Sequence, residues 1–241
     1  MMKKFLPSTL IVFCLFVTGK YSFGQSTIDA RDILDDIKHG KDVSYKNVKI
    51  VGDLDLTYYF EKKHEEKYEK RKSWFGSDNN VVEEIIESNI RFENCTFEDD
   101  VLAYIHDEYS DYTFSASFNN DVVFKNCKFE EKSAFKYSKF DSKTDFSEST
   151  FNEEANFKYA KFRQSANFGS AFFKDDANFK YARFKNGLNF SNTTFDRDLN
   201  LKYVKIDGNF SSANMKVKYD LDVKYAKVNG ESFSKYLLSQ D

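Results

Sequence analysis

Between residues 118 and 228 single large apolar residues alternate with short polar runs on a strict count. Fourteen phenylalanines, Phe124, Phe129, Phe135, Phe140, Phe146, Phe151, Phe157, Phe162, Phe168, Phe173, Phe179, Phe184, Phe190 and Phe195, follow at alternating steps of five and six. Two places before each stands a mostly small residue, such as Ser133, Ser138, Thr144, Ala155, Ala160, Ala166 or Ala171. Alternate residues of an extended segment face the same side, so one large and one small side chain fill a narrow interior together. Steps of five do not keep to one face of a 3.6-residue turn, which excludes amphipathic helices. A second, 22-residue period lies over the first, marked by Tyr137, Tyr159, Tyr181, Tyr203 and Tyr225. Nested fixed periods mean one small unit stacked on itself. The pattern therefore predicts an all-β solenoid whose every coil is one such longer period.

Segments such as Ala155-Asn156-Phe157-Lys158-Tyr159 and Ala160-Lys161-Phe162-Arg163-Gln164 resemble the pentapeptide-repeat family, whose unit runs small, Asn/Asp, Leu/Phe, polar, polar. The resemblance is clean from about 118 to 228, and weaker pieces extend it to about 45. It implies a right-handed quadrilateral β-helix with about four short segments per coil. This chain departs from the strict form by adding one residue to every second unit, and by preferring Phe to Leu. The motif is specific for fold and nearly silent on activity.

The flanks bound the solenoid. Residues 1–24 read as a secretory signal: Lys3 and Lys4, the apolar run Leu10 to Val17, then Ser22-Phe23-Gly24 before Gln25. That run is shorter than the roughly 20 residues a membrane span needs. An uncleaved anchor is the other reading of it. Residues 25–44 are expected to hold a capping helix, Ser26 to His39, with Ser26 and Asp29 as its capping box and Gly40 as its stop. The solenoid is expected over 45–230, with an insertion at 57–89, an irregular stretch at 98–117 and the regular array at 118–228. Within the insertion, Val81 to Ile86 is expected to pair with Thr57 to Phe60 as an outlying ribbon. Phe210 and Met215 sit two places early, which predicts a bulged coil. Residues 231–241 are read as a C-terminal cap, with Glu231 to Leu238 helical and Tyr236, Leu237 and Leu238 turned inward. Cys95 and Cys127, separated by about three half-coils, are placed on different walls as small buried fillers rather than a disulfide.

Charge changes the picture by region. Residues 122–230 carry 20 basic and 14 acidic residues, a net of +6, whereas residues 25–121 carry 12 and 23, a net of −11; the whole chain is only −3. The basic residues keep the 22-residue period: Lys136, Lys158, Lys180, Lys202 and Lys224 precede the five tyrosines, and Lys139, Lys161, Arg183, Lys205 and Lys227 follow them. Stacked at about 4.8 Å per coil, five rungs make a stripe about 19 Å long, suited to an anionic polymer through charge and ring stacking. The bland alternative is a tyrosine ladder that stiffens the solenoid, with its lysines paired to the acidic corner of Glu131, Glu153, Glu154, Asp175, Asp176, Asp198 and Asp220.

Catalytic signatures are lacking. His39, His64 and His106 lie outside the regular array without metal-like spacing, and there is no Gly-rich phosphate loop, CxxC or nucleophile elbow. Neither an enzyme nor a cofactor is expected. The acidic rows suit a solvated edge better than calcium or a carboxylate pair. Three functions follow: an exported cell-envelope scaffold docking a partner through the insertion, Trp74 and Phe75 foremost; a binder of anionic glycan or lipid head groups along the stripe; and, as the resemblance to cytosolic members implies, a DNA mimic that shields topoisomerases. The export signal and the basic array oppose the third. No nucleic-acid partner is expected.

Overall fold

Parallel pairing at a constant offset is what the repeated backbone permits, and it builds the whole molecule. The structure, a computed structural model, describes residues 25–62 and 80–238. The chain winds as a right-handed β-helix with four faces, each a stacked sheet. The first face runs from Ser26–Asp29 and Val48–Val51 to Lys216–Val217, and the second from Leu54–Asp55 to Leu221–Asp222. The third runs from Val81–Ile86 through Tyr112–Phe118 to Lys227–Val228, and the fourth from Val43–Lys46 to Phe210–Ser211. In the regular array every strand residue pairs with its copy one coil on, as Phe140 does with Phe162 and Phe162 with Phe184.

The phenylalanines form four columns inside. Phe135, Phe157 and Phe179 stack at 5.1 and 4.9 Å between ring centroids, and Phe151 and Phe173 at 4.6 Å. Rings of the second and fourth faces meet edge to face across the interior, as Phe157 and Phe168 do at 5.3 Å and 82°. Offset stacks along the axis and edge contacts across it are the two arrangements the ring quadrupole favours. The small residues between them are equally buried, Ala155, Ala160 and Ala166 being fully enclosed.

The alternation of five and six comes from two kinds of corner. At five-residue corners the chain turns tightly: Ala160 N–H donates to the Phe157 carbonyl at 3.0 Å, with Tyr159 between them in the left-handed region. The Asn before the phenylalanine holds the turn, Asn156 Oδ1 accepting from Lys158 N–H at 3.1 Å. Asn178 and Asn200 repeat this one and two coils on. Six-residue corners are open bends, and in the regular array only glycines, Gly187 and Gly208, take positive φ there.

Two coils are longer, and both keep register. Lys49 pairs with Thr96, and Thr96 in turn with Lys128. Against the regular count, the first of these coils is longer by twenty-five and the second by ten. Both enlargements leave from the corner between the second and third faces, after Leu54–Asp55 and after Val101–Leu102. The smaller one is a hairpin, Tyr104–Asp107 antiparallel to Tyr112–Phe118, which accounts for the irregular stretch.

Several expectations change. Ser26–Asp29 is a strand on Val48–Val51, and helix α1 spans Ala30–Lys38 with Asp29 as its N-cap, accepting from Arg31 N–H at 2.9 Å. An open sheet edge satisfies those backbone groups, which the first turn of a helix leaves unpaired. α1 lies across the first coil through Ala30, Ile33 and Ile37, and Gly40 ends it at φ +71°. Val81–Ile86 does not pair with Thr57 to Phe60; it lies parallel to Tyr112–Phe118 on the third face. Residues Tyr59–Lys62 form a short helix, α2, whose backbone is held by the buried Asp55 carboxylate. Phe210 causes no bulge. It pairs with Leu188 in the small-residue column while Ser212 takes the large one, so only side-chain size is exchanged. Cys95 and Cys127 share one wall, because the hairpin makes their separation a single enlarged coil, each standing one place before the paired Thr96 and Lys128. Both thiols are free and buried. Cys127 donates to the Phe92 carbonyl just as Ser149, one coil on, donates to Phe124. Burial pushes the Cys127 thiol up, keeping it a protonated donor. At the far end Glu231–Ser232 is an antiparallel strand, and α3, Phe233–Leu238, begins two residues later than expected. Phe233 and Tyr236 close the core over Phe210 at 5.6 and 5.3 Å. Leu237 and Leu238 have side chains outside the described residues.

Phe168, fully buried between Phe146 and Phe190, tests the core. Phe168→Ala is expected to lower the unfolding free energy by about 3–5 kcal/mol, since rigid neighbours leave a cavity. Denaturant titration measures this, and an unchanged midpoint would contradict a packed interior.

Candidate functional site

The corner from the second to the third face repeats five times with tyrosine at its left-handed position, Tyr137, Tyr159, Tyr181, Tyr203 and Tyr225, at φ 61° to 66°. A bulky residue there is strained, on the order of 1 kcal/mol each, whereas Asn or Gly would relax. The other tight corner uses Asn126, Asn192 and Asn214 at three of its five rungs in the regular array, with the smaller or flexible Ser170 and Glu148 at the other two. Tyrosine is therefore present for its side chain. The rings stack on one another at 5.0, 4.7, 4.6 and 4.8 Å, within 19° of parallel. Stacking consumes the ring faces of Tyr159, Tyr181 and Tyr203, so these three offer edges and hydroxyls to solvent.

Beside the ladder runs a groove of about 680 Å³, lined by the five tyrosines and by Lys161, Arg183, Lys205 and Lys227. These cations stand one place before a buried core residue, so strand alternation points them outward in mid-face. Their backbones pair directly: Lys161 with Arg183, Arg183 with Lys205, Lys205 with Lys227. Like charges on adjacent strands destabilise a sheet. Lys139, at the head of the column, is neutralised by Glu83 at 2.8 Å. Among the described residues no carboxylate lies within ion-pair distance of the other four.

The lysines that precede the tyrosines lie on the far side of the rings. The Lys158, Lys180, Lys202 and Lys224 ammonium groups sit 5.2–5.7 Å from the centroid of the following tyrosine. Lys136 donates to the Tyr104 hydroxyl at 2.8 Å, which ties the hairpin to the head of the ladder. The acidic corner does not pair with either row. Asp176 and Asp198 instead accept backbone N–H groups from Asp198 and Asp220, one coil on.

The family model described as pentapeptide repeats (9 copies) matches residues 114–161 and again 157–205, the segment that carries most of this corner. Residues 114–205 are pentapeptide repeats. No curated protein and no solved structure matches the chain. Such repeats support a structural or interaction role, and the tyrosine-bearing corners are laid over that framework.

Other expected residues are not brought to the groove. His39 caps α1 with Nδ1 2.7 Å from the Asp35 carbonyl, and His106 lies on the hairpin beside Thr113. His64, Trp74 and Phe75 lie outside the described residues, as does the 1–24 segment. Among the described residues no cluster of His, Cys, Asp and Glu is placed to hold a metal, and no helix is long and apolar enough to cross a membrane.

Burial first, and then the charges of Lys136 and Lys180, hold the Lys158 ammonium below the ordinary lysine range. Its charged form is disfavoured in the folded coil, so the penalty is present at neutral pH and fades as pH rises from the folded value to the ordinary one. Lys158→Gln is therefore expected to unfold no earlier than the parent at low salt. Any advantage should shrink as salt shortens the screening length to about 8 Å. A thermal midpoint that drops in the variant at low salt would show the column to be stabilising.

Proposed function

We propose that this protein is a non-catalytic interaction scaffold, exported to the cell envelope, whose tyrosine and cation groove docks an anionic partner. The unneutralised column of Lys161, Arg183, Lys205 and Lys227 carries the reading. A stack of like charges lowers stability, and a bound anion relieves it. The strained tyrosines beside it point the same way, since backbone strain gathers where a side chain has work to do. Both enlargements of the coil leave from this same corner, so a partner reaching the groove also meets the hairpin that carries Tyr104.

Retention on an anionic matrix tests the docking face. The parent should bind and elute with salt. Lys161→Glu/Arg183→Glu/Lys205→Glu should pass through unbound with a thermal midpoint near the parent's, because exposed charges contribute about 0–1 kcal/mol each. Binding unchanged in that variant would remove the groove from the function.

Export rests on the residues before Gln25. Cleavage there would leave the first coil whole, since the described structure has Gln25 bonded to the Asn94 carbonyl and Ser26 already in the first face. Mass spectrometry of secreted material is expected to find a start near Gln25, and recovery of uncleaved chain from the cytoplasm alone would overturn the localisation.

A further inference from the structure

The groove fixes more about its ligand than the sign of its charge. Its cations recur once per coil at the strand spacing of about 4.8 Å, along a straight line parallel to the solenoid axis. A ligand that neutralises all of them must carry one negative charge per similar advance, in an extended chain. Nucleic-acid single strands are held on aromatic platforms whose faces are free for the bases. Here the faces of Tyr159, Tyr181 and Tyr203 are taken up within the ladder, so along its length base stacking has no platform. A lipid surface is flat and is held by apolar side chains pressed into it. The cations here line a recess between a ring ladder and a sheet face. What remains on offer along the recess is hydroxyl, ring edge and ammonium or guanidinium, repeated at each rung. Among the described residues the hydroxyls of Tyr159, Tyr181 and Tyr203 make no hydrogen bond to the protein. A sugar residue in an extended chain advances the polymer by about one such rung, and a uronic acid brings one carboxylate and free hydroxyls with each step.

We propose that the groove binds an acidic polysaccharide of the polyuronate class, laid along the solenoid axis with one carboxylate per coil. Arg183 is the one guanidinium in the column and takes its carboxylate in bidentate fashion, while the lysines act as point charges. The head of the groove is closed to the polymer's charge by Glu83, which neutralises Lys139, and by Tyr104, which packs against Tyr137 at 5.9 Å. Carboxylates are therefore seated from Lys161 to Lys227, four in all.

The proposal rests on the anion-docking reading, and the experiment separates the two. Titration calorimetry on the full mature chain uses oligogalacturonates from dimer to decamer, their methyl-esterified forms, an oligothymidylate of equal charge, and vesicles containing phosphatidylglycerol. Affinity is expected to climb with each added sugar up to about four or five units, one per rung, and then level off. The esterified chains should lose binding. Arg183→Lys should weaken the pentamer more than Lys205→Arg does, and Lys161→Glu/Arg183→Glu/Lys205→Glu should weaken it about a hundredfold. Salt-dependent binding with no gain from dimer to decamer, or tighter binding to oligothymidylate or to vesicles, would overturn the polyuronate assignment while leaving an anion-docking face in place. Failure to bind any of the anions would remove both.

Discussion

Parallel, in-register stacking places every side chain over its own copy, and most of this molecule follows from that constraint. A stack of identical residues is favourable when the residue is attracted to itself. Phenylalanine meets the condition inside, where columns 4.6–5.6 Å apart use offset faces along the axis and edges across it. Asparagine meets it at the tight corners, where Asn167 accepts from Asn189 one coil on at 2.8 Å while holding its own turn. Lysine and arginine do not meet it. Their stacking on the third face works against the fold, and it stands beside the one corner that puts tyrosine where the backbone favours Asn or Gly.

The constraint also explains how the chain tolerates insertion. A solenoid contacts itself only between neighbouring coils, so added residues disturb nothing if they leave and return at one corner. The larger and the smaller addition both do this, and both use the tyrosine corner. Their nearer parts then serve the regular array: Glu83 neutralises the first cation of the column, and Tyr104 begins the aromatic ladder ahead of Tyr137. Charge segregation in the sequence has the same meaning. Among the described residues, the acidic first half supplies a carboxylate to one rung of the basic column, through Glu83.

Much of this was legible as period. The 22-residue count places Phe135 over Phe157 and Tyr159 over Tyr181, because stacking admits no other register. Period does not reveal what interrupts it. Counting the hairpin between them as coil puts Cys95 and Cys127 on different walls, whereas the hairpin leaves and returns at one corner and restores them to one. Val81–Ile86 looked like an outlying ribbon because its partner, Tyr112–Phe118, comes after a gap that local pairing rules do not span. The start of α1 was misplaced by a competition between a cap at Ser26 and a sheet edge at Val48–Val51, and the edge won. Phe210 obeyed the count while breaking the size rule, since a neighbouring Ser212 left room for it.

The groove itself was half legible, and the missing half is a matter of direction. Periodicity put two cation rows on either side of the tyrosines but not which row shares a recess with the rings. Strand alternation decides it. Lys161, Arg183, Lys205 and Lys227 stand one place before a buried residue and must project from the face, whereas Lys158 and its copies ride the turn and fold back over the next ring. One row is thereby occupied with aromatic contacts inside the protein, and the other, from Lys161 onward, faces solvent with no carboxylate at ion-pair distance among the described residues. A fold that needs only self-complementary stacking has no use for such a column, and the described residues hold no counter-charge for it, which is why a bound anion is the partner proposed.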